Sequence, residues 1–362
     1  MSLAVKPKRK ARARSSPGLI LRLAVTAGLL GFLALKIEWR ELGRLLLQAD
    51  GWLLASVACL APLTVLGLAW RLQYLLRKAT GGGLRLPFAA TWRVTWGGQF
   101  FNSCLPGATG GDVYKIYELC RLFPQAGAAG AAAVVADRFF ALLALVGLAG
   151  VSLAVVPLPW GRLLGGGGSG GGGLIVPAGI VWGIMVGSIL LAAGGVTAAR
   201  SPECRTRIVR LLTGTAQAVR QALRYFQGGS ITWIGLGLAV VVHSFNFWLV
   251  FLLTRALGIG LAFFQVVALM PVLLLAVLLP VTINGHGLRE VLMIGAFTWL
   301  QVGVGTGVGD SAIGPRECAV ALSLIMVACD LVCALPGGVL FFLHRRNRGA
   351  TAQKGGDAGN HF

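Results

Sequence analysis

Leu105-Pro106-Gly107-Ala108-Thr109-Gly110-Gly111-Asp112-Val113-Tyr114-Lys115 interrupts an apolar stretch in the first half of the chain, and Leu279-Pro280-Val281-Thr282-Ile283-Asn284-Gly285-His286-Gly287-Leu288-Arg289-Glu290 interrupts another in the second. Each runs hydrophobic helix, proline, glycine-bearing turn, then a carboxylate and a basic residue within a few positions. The surrounding chain is built for lipid. Of 362 residues 56% are hydrophobic and 12% charged, with a mean hydropathy of +0.79. A water-soluble domain of that size cannot hide so much apolar surface, so the chain reads as an integral, all-α polytopic membrane protein. Backbone polar groups at membrane depth must be satisfied by protein, solute or water, and paired interruptions of this kind therefore mark the working site.

Working outward, the positive residues set the topology. The net charge of +20 sits in short loops beside apolar spans, a pattern of membrane orientation and attraction to anionic headgroups, and nucleic acid is not expected as a partner. Residues 1–18 form a basic cytoplasmic leader, and residues 19–343 a single transmembrane domain whose first span, Leu19 to Ile37, is read as uncleaved. Residues 36–50, mixed in sign, lie outside. Trp52 to Trp70 returns to an inside loop holding Arg71, Arg77, Lys78 and Arg85. The first hairpin (88–122) has a second arm, Val113 to Leu122, too short and polar for a lipid-facing span, and is read as re-entrant from the inside. Ala131 to Val156 exits to the glycine linker 165–173. Leu174 to Ala199 returns to the basic cytoplasmic loop 200–224, and Ile231 to Leu253 exits again. The second hairpin (261–300) opens outside, Cys318 to Leu343 is the last span, and residues 344–362 are a disordered cytoplasmic tail.

The expected architecture is six full crossings plus two oppositely oriented re-entrant helical hairpins in an inverted repeat, which builds a solute site where the two discontinuous elements meet. A rival assignment takes one or more hairpin arms as full crossings, within a total of eight to ten apolar helical segments. Both termini are cytoplasmic, in a bacterial cytoplasmic (inner) membrane.

The turns are assigned to Pro106, Gly107, Gly110 and Gly111, and to Pro280, Gly285 and Gly287. Asp112, Lys115 and Glu118 are spaced three apart and share a helix face, and free amides at the start of that helix suit an anion such as phosphate. Asn284, His286, Arg289 and Glu290 repeat the pattern: Arg289 offers a planar fork for phosphate, and Glu290 balances it, takes a proton, or caps the second arm. Asp137 and Arg138 either pair with the first hairpin or meet a lipid headgroup. The substrate-binding set is thus Asp112, Lys115, Arg138, Asn284, Arg289 and Glu290. Glu118, Asp137, His286 and the isolated Asp330 are candidates for ion coupling. Arg93 and Gln99 are lesser candidates, while His243, Ser244 and Asn246 suit interhelical hydrogen bonds.

The seven cysteines show no paired metal spacing, and the chain has no nucleotide-binding loop, His-Glu-x-x-His or Gly-x-Ser-x-Gly motif. No metal, cofactor or catalytic residue is expected, and the chain is not read as an enzyme, although a lipid transferase using Asp112 or Glu290 as base stays open.

Asn102, Leu105-Pro106, Gly110-Gly111-Asp112 with Lys115, the later Asp137-Arg138, and Gly287-Leu288-Arg289-Glu290 together resemble the membrane domain of lysylphosphatidylglycerol synthases and the related standalone flippase-like family, over roughly Leu19 to Leu343. The resemblance implies movement of an anionic phospholipid or polyprenyl-phosphate-linked lipid between leaflets, with Asp112, Lys115, Arg138, Arg289 and Glu290 as matched residues. Those synthases carry a soluble aminoacyl-transfer domain that is not expected here, and His286 departs from the second motif. Membrane lipids are the expected partners. The alternative is a noncatalytic lipid-binding partner of an envelope-lipid enzyme.

Overall fold

The computed structural model describes residues 17–82, 86–104, 110–123, 127–155, 229–278, 282, 285–302 and 313–357. Ten helices occur among them: α1 (Pro17–Lys36), α2 (Trp39–Leu47), α3 (Gly51–Ala79), α4 (Phe88–Cys104), α5 (Gly110–Leu122), α6 (Gly127–Val155), α7 (Gly229–Ala256), α8 (Phe263–Val277), α9 (Leu288–Leu300) and α10 (Pro315–Asp357). Four stretches among the described residues are long and apolar enough to cross a membrane: Gly51–Ala79, Ala129–Ser152, Gly229–Ala256 and Pro315–Phe342, with mean hydropathy of 2.0 to 2.5. Only 17% to 44% of each is buried inside the protein, so most of this apolar surface faces outward, where lipid alone satisfies it. Pro106, Gly107, Pro280, Asn284, the glycine linker, the Leu174 to Ala199 crossing and the basic loop 200–224 lie outside the described residues.

Three boundaries differ from the sequence expectations. α3 does not stop at Trp70 but runs to Ala79, because Leu72, Leu75 and Leu76 prolong its buried face; this carries Arg71 out of the expected loop and into the interior. Residues 36–50 are not simply a polar connection, since α2 buries Leu42 and Leu45 on one face beneath Arg40, Glu41 and Arg44. α10 stays helical through 344–357, a stretch read from sequence as a disordered tail but containing the helix formers Arg, Ala, Gln and Lys.

Contacts fix which helix ends lie together. The Asp50 N–H donates to Ala256 O at 2.8 Å, joining the start of α3 to the end of α7. The Glu38 N–H reaches Glu317 Oε1 at 3.5 Å and places the start of α10 beside the α1–α2 turn. At the other end of α3, Gln73 Nε2 donates to Leu86 O at 2.9 Å and seats the start of α4. The apolar core is divided between these ends. Leu72, Leu75, Val94, Leu119, Val134 and Phe140 pack where α3 finishes, whereas Leu42, Leu45, Val57, Phe247, Met293 and Phe297 pack around α8 and α9. Each broken helix pair is thus anchored in its own apolar cluster.

α4 and α5 pack as antiparallel arms, with Asn102 meeting Gly111 beside the break. Their closeness depends on glycine. A Cβ on Gly111 would collide with the Gly98 carbonyl oxygen and stand 2.6 Å from the Asn102 side chain, and one on Gly98 would stand 2.6 Å from Lys115 Cε. Gly111→Ala is therefore expected to wedge the arms apart at an overpacking cost of about 1–3 kcal/mol, read as a lower thermal midpoint in detergent. Gly147→Ala, in open space on α6, is the control and leaves the midpoint unchanged.

Candidate functional site

Where α5 begins, two ion pairs converge. Arg138 Nε, one residue past Asp137 on α6, donates to Asp112 Oδ2 at 2.5 Å. Arg71 Nε on α3 donates to Asp137 Oδ1 at 2.6 Å, and both of these side chains are buried, 2% and 5% exposed. Lys115 lies between them, itself buried, with Nζ 4.0 Å from Asp112 Oδ1, beyond hydrogen-bonding reach. Of the two alternatives for Asp137 and Arg138, the structure has Arg138 on the first hairpin and Asp137 on α3.

This arrangement leaves charge and valence unspent. Three cations (Arg71, Lys115, Arg138) face two carboxylates (Asp112, Asp137), a surplus of one positive charge. Asp112 Oδ1 and Arg71 Nη1 are buried without a hydrogen-bond partner among the described residues. Asp112 Oδ1 calls for a donor and Arg71 Nη1 for an acceptor. The amide of Gly111 is not free for an anion, because Asn102 Oδ1 accepts its hydrogen at 2.8 Å and caps α5 from the opposite arm.

Toward the open end of the hairpin the row winds around α5 through Glu118, which is buried, to Arg121, whose side chain is 42% exposed and whose Nη2 donates to Glu118 Oε1 at 2.9 Å. Asp112, Lys115, Glu118 and Arg121 form a ladder of alternating sign, each rung three residues from the next.

The second cluster is tighter. Glu290 Oε2 accepts from the Gly287 N–H at 2.5 Å, closing the first turn of α9, while its Oε1 accepts from Ser323 Oγ at 2.5 Å and from Arg289 Nη2 at 3.2 Å. Arg289 Nε in turn donates to Ser323 Oγ at 3.0 Å. Glu290 therefore does serve as a cap. Gly285 and Gly287 both hold positive φ, 77° and 85°, as the turn assignment requires. His286 is half-buried and makes no hydrogen bond among the described residues.

Asp330 sits further along α10, exposed, with Arg289 within electrostatic reach. It is seven residues from Ser323 and so shares its helix face, on the way to Cys333, whose carbonyl accepts from Trp96 Nε1 of α4 at 2.7 Å. α10 is the strut that touches both broken helix pairs. His243 Nε2 lies 3.1 Å from Ala141 O, the interhelical contact expected of it.

Sequence reasoning missed Arg71, Ser323 and the capping role of Asn102. Only Asn102 carried a signal, its place just before Leu105-Pro106. Among curated proteins none matches the chain. A family model described as the lysylphosphatidylglycerol synthase TM region matches residues 19–337, nearly the whole chain, and the protein belongs to that family of membrane domains.

Proposed function

We propose that this protein is a lipid translocase, moving an anionic phospholipid or a polyprenyl-phosphate-linked lipid between leaflets, rather than an enzyme. The observation that carries the reading is the Asp112, Lys115, Arg138, Arg71 and Asp137 cluster at the closed end of a hairpin, with one surplus positive charge and with Arg138 still 42% exposed in its side chain. A phosphodiester supplies the missing negative charge, and its oxygens accept from the exposed part of the Arg138 guanidinium. Membership of a family named for a synthase of an aminoacylated phospholipid supports a lipid as the solute.

In this reading α4–α5 and α8–α9 are re-entrant hairpins entering from opposite faces among six full crossings, related as an inverted repeat. Each supplies half of the path: Asp112, Lys115 and Arg138 on one side, Arg289 and Glu290 on the other. Arg77, Lys78 and Arg121 gather where the first hairpin opens, and the other end is mixed in sign, with Glu38, Glu41, Asp50 and Glu317 among its charges. That asymmetry supports cytoplasmic termini in a bacterial inner membrane.

The test is leaflet exchange of labelled phosphatidylglycerol, phosphatidylcholine and a polyprenyl phosphate in liposomes holding the purified protein. Exchange of the phosphate-bearing anionic lipids above that of protein-free vesicles is expected. Folded protein that moves no lipid of the panel, yet copurifies with an envelope-lipid enzyme, transfers the reading to a noncatalytic lipid-binding partner.

A further inference from the structure

Between α4, α5 and the end of the apolar part of α10 lies a cavity of about 450 Å³, on the open side of the first hairpin. Its lining is mixed, with the charged Arg93, Glu118 and Arg121 among apolar side chains that include Val94 and Phe341. Arg93 is exposed and makes no ion pair or hydrogen bond among the described residues. Arg121 gives Nη2 to Glu118 and remains 42% exposed in its side chain. Two guanidinium groups therefore face one carboxylate, again a surplus of one positive charge, in a chamber separate from the Asp112 pair.

We propose that this cavity is a capture site for an anionic, phosphate-bearing amphiphile drawn from the leaflet at which the α4–α5 hairpin opens. Arg93 and Arg121 present planar forks to the phosphate, and the aromatic and aliphatic side chains take the first methylenes of the tail. Such a mixed lining favours a phosphate joined to hydrocarbon over a free ion. The site deepens the translocase reading and rests on it for the class of solute. From Arg121 the next cation back along α5 is Lys115, six residues earlier, about 9 Å along the axis at 1.5 Å per residue and about a third of a turn around it.

The experiment titrates the full chain, held in phosphatidylcholine nanodiscs, with dihexanoylphosphatidylglycerol, with dihexanoylphosphatidylcholine and with inorganic phosphate, by calorimetry. Saturable binding of the phosphatidylglycerol alone is expected. Arg93→Gln, which strands no partner, is expected to weaken it about tenfold, the order of one charge-assisted fork, and Arg93→Gln/Arg121→Gln to abolish saturation, with Arg93→Lys intermediate. Binding of inorganic phosphate with equal affinity would keep the anion site but assign it to the free ion. Unchanged phosphatidylglycerol affinity in Arg93→Gln overturns the proposal. The two readings fail separately: lost binding in Arg93→Gln with no leaflet exchange by the wild type leaves the site and removes the translocase, and unaltered binding with active exchange does the reverse.

Discussion

Asp137→Ala is expected to remove nearly all folded protein. The substitution leaves the Arg71 guanidinium, 2% exposed, with no carboxylate to answer its charge. Breaking one side of a buried pair costs about 3–5 kcal/mol, a large share of the roughly 5–15 kcal/mol that holds a fold together. Arg71→Met strands Asp137 instead and should fail similarly. Replacing both, as Arg71→Met/Asp137→Leu, removes the two charges and fills the same volume with apolar atoms, and is expected to recover the monodisperse elution and the thermal midpoint to near wild type. A wild-type midpoint for Asp137→Ala alone would mean that the pair is hydrated and that its geometry does not govern folding.

The double replacement also separates scaffold from transport. Arg71 and Asp137 cancel, so without them Lys115 and Arg138 against Asp112 still leave one positive charge over. If the anion answers that surplus, leaflet exchange survives the double replacement within about tenfold, the scale of a modest change in one electrostatic contact.

The division between what could and could not be read from the chain follows from sequence distance. The breaks at Gly110-Gly111 and Gly285-His286-Gly287 were legible because glycine and proline punctuate a helix locally, and the positive φ of Gly285 and Gly287 is the physical form of that signal. The Asp112 to Arg138 contact was within reach of inference, since Arg138 follows Asp112 by only 26 positions, on the helix into which α5 turns back. Arg71 to Asp137 was not. Those residues are 66 positions apart, and the arginine follows a Trp-rich apolar run, so its charge was taken as the mark of a loop. The periodicity of Leu72, Leu75 and Leu76 carried the opposite message, and burial, not charge, decides where that helix ends. Ser323 is silent for another reason. A serine inside an apolar helix has no pattern of its own, and only the arrival of Arg289 and Glu290 gives its hydroxyl a donor and an acceptor.

Lys115→Glu, read in the fraction that elutes as a folded species, is expected to lower exchange of phosphatidylglycerol at least a hundredfold. The change converts the local balance from one surplus positive charge to one surplus negative charge, because a cation is lost and a carboxylate gained. At about 6 Å and an effective dielectric of about 20, each unit charge acts on a phosphate with roughly 3 kcal/mol, so replacing attraction by repulsion readily exceeds the ~2.8 kcal/mol that a hundredfold represents. Lys115→Met isolates the loss of attraction from the new repulsion and should fall between the wild type and the glutamate. Arg289→Glu attacks the other half of the path, but it also places a second carboxylate beside Glu290, whose Oε1 now accepts from Arg289 at 3.2 Å, so its folded yield must be read before its exchange rate. His243→Ala, which forfeits an interhelical contact to Ala141 O and no charge, should stay within about tenfold, the effect of a neutral hydrogen bond of about 0.5–1.5 kcal/mol. Near-normal exchange in folded Lys115→Glu would place that ammonium among purely structural groups and detach the Asp112 cluster from the lipid path.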